Sequence, residues 1–303
     1  MSEPHIHTVF EPKTGTWQYV VADPITNQAV IIDSVLDFDP AAGQLSTKSA
    51  DELLALVSKQ GYTVSHILET HAHADHLTAS RYLQNQLQKL QSLHPEVCIG
   101  HHIKDVQSLF GPRYGVPASE LDRAFDHTFE DGEKFKIGNV NAEVLHLPGH
   151  TPDHIGYLIG SNVFTGDSIF NPDVGSARCD FPGGSATALY KSMQKLLSFP
   201  LHYKLYTGHD YPPDTREPAD DGKREMPYTT VEKQRAENKH VKEGTKEQDF
   251  VKWRSERDSG LSEPRLIHQA MQVNIRGGRL PQPDSNGMQF LKVPLKVPQA
   301  LMV

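Results

Sequence analysis

Cysteine is nearly absent: the 303-residue chain has two, Cys98 and Cys179. Two thiols cannot build a disulfide framework, and so low a count suits a reducing compartment. Long apolar runs are missing as well, since no stretch approaches the roughly 20 residues that a membrane-spanning helix needs. The first ten residues lack the basic start and apolar core of a secretory leader. The expectation is a soluble, cytoplasmic protein. Positive charge is also in deficit, with 30 Lys and Arg against 38 Asp and Glu, a net of -8. That balance argues against a general nucleic-acid surface and gives no attraction to an anionic membrane. An anionic small molecule would need cations gathered locally around its pocket.

What the chain does have is histidine, 17 of them, within a length and a 37% hydrophobic content that suffice for a substantial core. Apolar runs with β-type spacing predict strands over 16–22, 29–33, 64–69, 97–100, 134–137, 140–147, 155–159, 163–165 and 203–206. Helical spacing predicts helices over 49–60, 77–90, 185–197, 229–243 and 245–259. The segment 101–128 reads as an irregular surface excursion with a short helix at 103–110, and the last stretch as extended and rich in Pro and Gly. A β-rich half, helices, a second β-rich half and further helices predict an α+β fold. Its two sheets pack face to face with helices outside, a four-layer αβ/βα sandwich. The chain reads as one domain over 1–303, with about 212–303 as a helical and extended extension of it.

One stretch organises the rest. T-H-A-H-A-D-H-L at 70–77 places His71, His73, Asp75 and His76 directly after the strand at 64–69. Three imidazoles and a carboxylate at a strand end need partners when buried, and a metal ion satisfies them together. Three later loops repeat the placement: P-G-H-T with His150, T-G-D with Asp167, and G-H-D with His209. Each ends an apolar strand, and each ligand-type residue follows a glycine, as crowded backbone requires. Singly such residues are usually structural; four such loops in one chain point to a shared metal site. His101-His102 is expected to be a solvated pair, because adjacent side chains diverge.

The ordered set H-x-H-x-D-H, P-G-H-T, T-G-D and G-H-D resembles the metallo-β-lactamase superfamily over about residues 20–209. Further segments narrow the resemblance: Gly175-Ser176-Ala177-Arg178-Cys179-Asp180-Phe181, then Thr229-Thr230-Val231-Glu232, then Val273-Asn274-Ile275-Arg276. With these the chain resembles the persulfide dioxygenases, out to about Pro281. Cys179 stands where Thr is common in that family, which would set an easily oxidised thiol near the pocket.

The resemblance implies one Fe(II) per chain held by His71, His150 and Asp167, with glutathione persulfide and O2 as substrates and sulfite and glutathione as products. His73, Asp75, His76 and His209 would then orient those ligands, or serve as ligands themselves if two metals are bound. Arg178, Tyr211, Arg216 and Arg276 are the candidates for binding the substrate. The competing expectation is a glyoxalase-II-like or lactonase-like hydrolase, with two zinc ions bridged by Asp167. A homodimer through an exposed strand or the polar C-terminal helices is compatible with the sequence.

Overall fold

The computed structural model describes residues 3–301. In chain order, the first half comprises β1 (His5–Glu11), β2 (Thr16–Ala22), β3 (Gln28–Ile32), β4 (Val35–Asp39), β5 (Gln44–Ser46), α1 (Lys48–Gln60), β6 (Thr63–Leu68), β7 (Leu77–Thr78), α2 (Ser80–Leu90), β8 (Glu96–Gly100), α3 (Ile103–Tyr114), α4 (Ala118–Leu121) and β9 (His127–Phe129). The second comprises β10 (Lys134–Ile137), β11 (Val140–His146), β12 (Ile155–Ile159), β13 (Asn162–Gly166), α5 (Ala186–Leu197), β14 (Lys204–Thr207), β15 (Tyr228–Thr230), α6 (Val231–Glu237), α7 (Glu247–Asp258) and α8 (Ile267–Asn274).

Two six-stranded sheets result, ordered β1-β2-β3-β6-β8-β9 and β10-β11-β12-β13-β14-β15, with a small third sheet β5-β4-β7 beside them. Alternation along β2 and β3 explains the layering. Val20, Ala22, Ala29 and Ile31 pack under α1 and α2 with Leu53, Val57, Leu83 and Leu87. Their neighbours Tyr19, Val21, Val30 and Ile32 face the second sheet, against Val144, Tyr157, Phe164 and Tyr206. Strands buried on both faces read as continuous apolar runs, which is how these sequences look. On the far side of the second sheet, Leu189, Met193 and Leu196 of α5 and Phe250 of α7 cover Leu145, Val163 and Leu205. The architecture is the αβ/βα sandwich. Among the described residues no helix is long and apolar enough to cross a membrane.

Several elements differ from expectation. The segment 101–128 is no surface excursion. α3 runs on through Gly111-Pro112 to Tyr114 and stops at Gly115, whose φ is +66°. Its Ile103, Val106, Phe110 and Tyr114 are buried against Ala72 and Ala74, the two alanines between the histidines of the 70–77 loop. The segment therefore braces that loop from behind. Leu77 and Thr78 do not open a helix; they pair with Leu36 and Val35 of β4 before α2 begins at Ser80.

Expected helix 229–243 starts only at Val231, because 228–230 adds to the sheet edge beside β14. The Thr230 side chain accepts from Lys233 N–H and caps α6, which ends by Asn238. The final stretch holds a buried helix, α8, that composition did not suggest. Of the C-terminal elements, β15 pairs with β14, and Phe250 of α7 lies in the α5 core.

Candidate metal centre

All four ligand-bearing loops follow the ends of strands: β6, β11, β13 and β14. Backbone hydrogen bonds stitch the loops together. Gly208 N–H donates to Gly166 O at 2.8 Å, and Ile155 N–H donates to Thr70 O at 2.8 Å. Two glycines make the approach possible. At Gly149 (φ +143°) an added Cβ would lie 2.2 Å from Leu189 N, and at Gly166 (φ +47°) 2.5 Å from Thr70 Oγ. No other residue fits either position.

The donor atoms of His71, His150 and Asp167 lie within 4.8 Å of one another, and those of His73, Asp75 and His209 form a second such group. His150 Nε2 is 3.6 Å from Asp167 Oδ2, and His209 Nε2 is 3.5 Å from that same oxygen. Hydrogen bonds at the far ring atoms set the tautomers. His150 Nδ1 donates to Arg178 O at 2.7 Å. Thr70 Oγ donates to Asp33 at 2.9 Å, so it accepts from His71 Nδ1 at 3.0 Å. His76 Nδ1 faces Leu77 O at 3.1 Å. His73 is reversed: its Nε2 meets Asp33 at 3.1 Å and Glu69 at 3.4 Å, leaving Nδ1 for the site.

The result is a set of buried atoms without hydrogen-bond partners: His71 Nε2, His73 Nδ1, His76 Nε2, His209 Nε2, Asp75 Oδ2 and Asp167 Oδ1. Orphaned acceptors cost about 1–3 kcal/mol each, and a cation among them removes that cost. The residues fit a metal. Their electrostatics are mixed: against the pull of burial, Asp33 and Glu69 raise His73, and Asp167 and Asp75 raise His209. Burial, with neighbouring His73, pushes His76 down to about 4. Burial opposes ionisation of Asp75, yet His209 and His76 hold its carboxyl down to about 2. Burial raises Asp167 against the pull of His209 and His150.

Of the expected substrate-binding residues, Arg178 and Tyr211 line the cavity of about 540 Å³ that opens over Asp75, His150, Asp167 and His209. The Tyr211 ring is stacked on His209, with centroids 5.6 Å apart. Arg216 and Arg276 do not reach that cavity. Arg216 is clamped between Asp173 and Asp210, and Arg276 spans Glu120 and Gln272 O, each at 2.7 Å. Both guanidiniums spend their donors on internal acceptors. Within V-N-I-R the residue that touches the site is Asn274, whose Nδ2 donates to His73 O at 2.7 Å and His76 O at 2.9 Å. His101 pairs with Glu130 and His102 with Asp105, away from both donor groups.

Sequence reasoning missed one wall of the cavity, made by Lys239, His240, Trp253, Arg254, Arg257 and Arg265. The signal present was Trp253-Arg254 and Arg257 on a single helical turn. Among the described residues, no ion pair is formed by the exposed Lys239, Arg257 or Arg265 side chains. His240 accepts Ser176 N–H at Nδ1 (2.9 Å), and burial, then Lys239 and Arg254, push it down to about 3. An unfolded His takes up its proton near pH 6.5. Between there and about pH 3 the unfolded chain therefore binds the extra proton, and this group's contribution to stability falls as pH falls. His240→Asn should lose less stability than the wild type in urea melts taken from pH 7 down to pH 5; parallel losses would contradict this.

Cys179 is not the easily oxidised thiol its place in the motif suggested. Burial pushes it up to about 12, and its N–H donates to Asp258 at 2.8 Å. With Cys98 also buried, neither thiol should react with a thiol reagent until the protein is denatured. One fast equivalent on the native protein would refute this.

The metallo-beta-lactamase superfamily profile matches residues 12–209. The "Beta-lactamase hydrolase-like protein" of Xylella fastidiosa is 44% identical over 96% of this chain. The chain spans 65% of that protein's length. "Glyoxylase B2" of Dictyostelium discoideum is 40% identical, with 94% of each chain covered. Human "Persulfide dioxygenase ETHE1, mitochondrial" is 28% identical over 90% of this chain and 88% of its own. The crystal structure of ETHE1 from Myxococcus xanthus superposes with a TM-score of 0.70 at 27% identity, covering 91% of this chain and all of that one. The four loops, the sandwich that presents them and these similarities lead to one conclusion: the chain belongs to the metallo-beta-lactamase superfamily.

Proposed function

We propose that the protein is a mononuclear non-haem iron persulfide dioxygenase that converts glutathione persulfide, O2 and water into glutathione and sulfite. The observation that carries this reading is the His71/His150/Asp167 group beneath a cation-walled cavity. His71, His150 and Asp167 would hold ferrous iron, which would supply the redox chemistry needed to combine a persulfide sulfur with O2. Arg178 fixes the His150 ring through its carbonyl, and the Thr70–Asp33 relay fixes His71. Glutathione carries two carboxylates. Lys239, Arg257 and Arg265 are free to take them at the exposed edge, while buried Phe170 and half-exposed Tyr211 add aromatic wall. The likeness to ETHE1 proteins supports the same assignment.

A zinc hydrolase is the second reading. It is favoured by the His73/Asp75/His209 group and by relatives named as hydrolase-like and glyoxylase. Adding glutathione persulfide to the air-equilibrated enzyme separates the two. O2 loss matched one-to-one by sulfite supports the dioxygenase. No O2 loss, with turnover of a glutathione thioester or a lactone, establishes the hydrolase.

A further inference from the structure

The His150 loop continues into three residues, Asp153-His154-Ile155, that no ligand motif uses. Each is bonded to another ligand loop. Asp153 Oδ2 accepts Ala72 N–H at 2.8 Å, between His71 and His73. Ile155 N–H donates to Thr70 O at 2.8 Å. His154 Nε2 accepts the backbone N–H of Asp167 itself at 2.9 Å. The His154 ring is fully buried and stacks on His71, with centroids 4.7 Å apart and planes 24° apart.

The hydrogen bonds fix its state. A backbone N–H can only donate, so Nε2 carries the lone pair, and the proton sits on Nδ1, which faces Ser168 Oγ at 3.3 Å. Both nitrogens are thereby occupied, and His154 belongs to none of the three candidate metal-donor groups. The packing leaves no slack: a Cβ at Gly166 would lie 2.8 Å from His154 Nε2. One neutral imidazole is in contact with two of the three triad ligands and four residues from the third.

We propose that His154 is a positioning residue that sets the spacing of His71, His150 and Asp167, with Asp153 and Ile155 locking its segment to the 70–72 backbone. A metal site tolerates misplacement of only about 0.5 Å in its ligands. A bond to Asp167's own N–H and a ring against His71 meet that demand from one side chain. This inference concerns metal affinity and does not depend on which reaction the loaded site performs.

The test is titration of the metal-free protein with Co(II), following the visible absorption bands without any substrate. His154→Phe keeps a ring against His71 but removes the acceptor. It should bind Co(II) about 10–100-fold more weakly, the range seen when a residue that orients a metal ligand is lost, and its bands should shift. His154→Gln, which still offers an acceptor toward Asp167, should recover most of the affinity. A folded His154→Phe with wild-type affinity and spectrum overturns the proposal. Should His154→Phe fail to fold, His154→Asn is compared with His154→Gln. Asn is too short to reach Asp167, and wild-type Co(II) binding by the Asn variant overturns the proposal equally. Because no turnover is read, failure here leaves the dioxygenase reading standing, and failure of that reading leaves this result intact.

Discussion

His71→Ala should retain no iron and show no O2 uptake, a loss well beyond the about 10–100-fold expected for a residue that only orients a ligand. His76→Ala should keep one metal per chain and lose no more than about that range. The asymmetry follows from the donor geometry. His71 Nε2 shares one tight group with His150 and Asp167, and its tautomer is imposed by Thr70 and Asp33. His76 lies outside that group, with its ring held by Leu77 O. A hydrolase with two metals erases the asymmetry, because the unpartnered His76 Nε2 would then serve the second ion beside the His73/Asp75/His209 group. Metal analysis and oxygen-electrode rates on the two variants decide the matter, and equal, complete losses in both would contradict the mononuclear account.

Neutralising Lys239, Arg257 and Arg265 together, each to Gln, should raise the KM for glutathione persulfide by roughly tenfold or more while kcat stays close to wild type. Exposed charges are individually weak, but three facing one dianionic ligand add their attraction and raise its local concentration. The chain's net charge of -8 makes this gathering of unpaired cations over the metal loops selective for an anion. Salt provides the internal control. The wild-type KM should climb towards the variant's as ionic strength rises, since screening shortens the reach of surface charge to a few ångströms by about 1 M. A KM unchanged in the variant, or a fall confined to kcat, would remove the cationic wall from substrate binding.

The ligand loops were legible because each announces itself locally, as an apolar strand, a glycine and a metal-type side chain within a few residues. The sandwich was legible for a similar reason, since strands such as Val30-Ile31-Ile32 are apolar on both faces. Contacts made across the chain were not. Arg276 and Asn274 sit two residues apart, and only the fold shows that the arginine turns to Glu120 while the asparagine reaches the carbonyls of His73 and His76. Arg216 looked free beside a ligand loop, yet Asp173, 43 residues upstream, neutralises it. The cationic wall escaped because its members are spread over 239–265, with Trp253, Arg254 and Arg257 on the polar helix α7 and Lys239, His240 and Arg265 in turns on either side of it. α3 was misread at Gly111-Pro112. Burial of Phe110 and Tyr114 behind the metal loop carried the helix through both breakers.

The proposed dioxygenase carries one redox-active ion per chain at His71, His150 and Asp167. Protein purified without oxygen should be analysed for metal and then given glutathione persulfide in an oxygen electrode. About one iron per chain, as a two-His, one-carboxylate triad predicts, with O2 consumed as sulfite appears, is the expected result. Two zinc ions per chain and no O2 uptake would contradict it and make the second donor group the working half of a hydrolase.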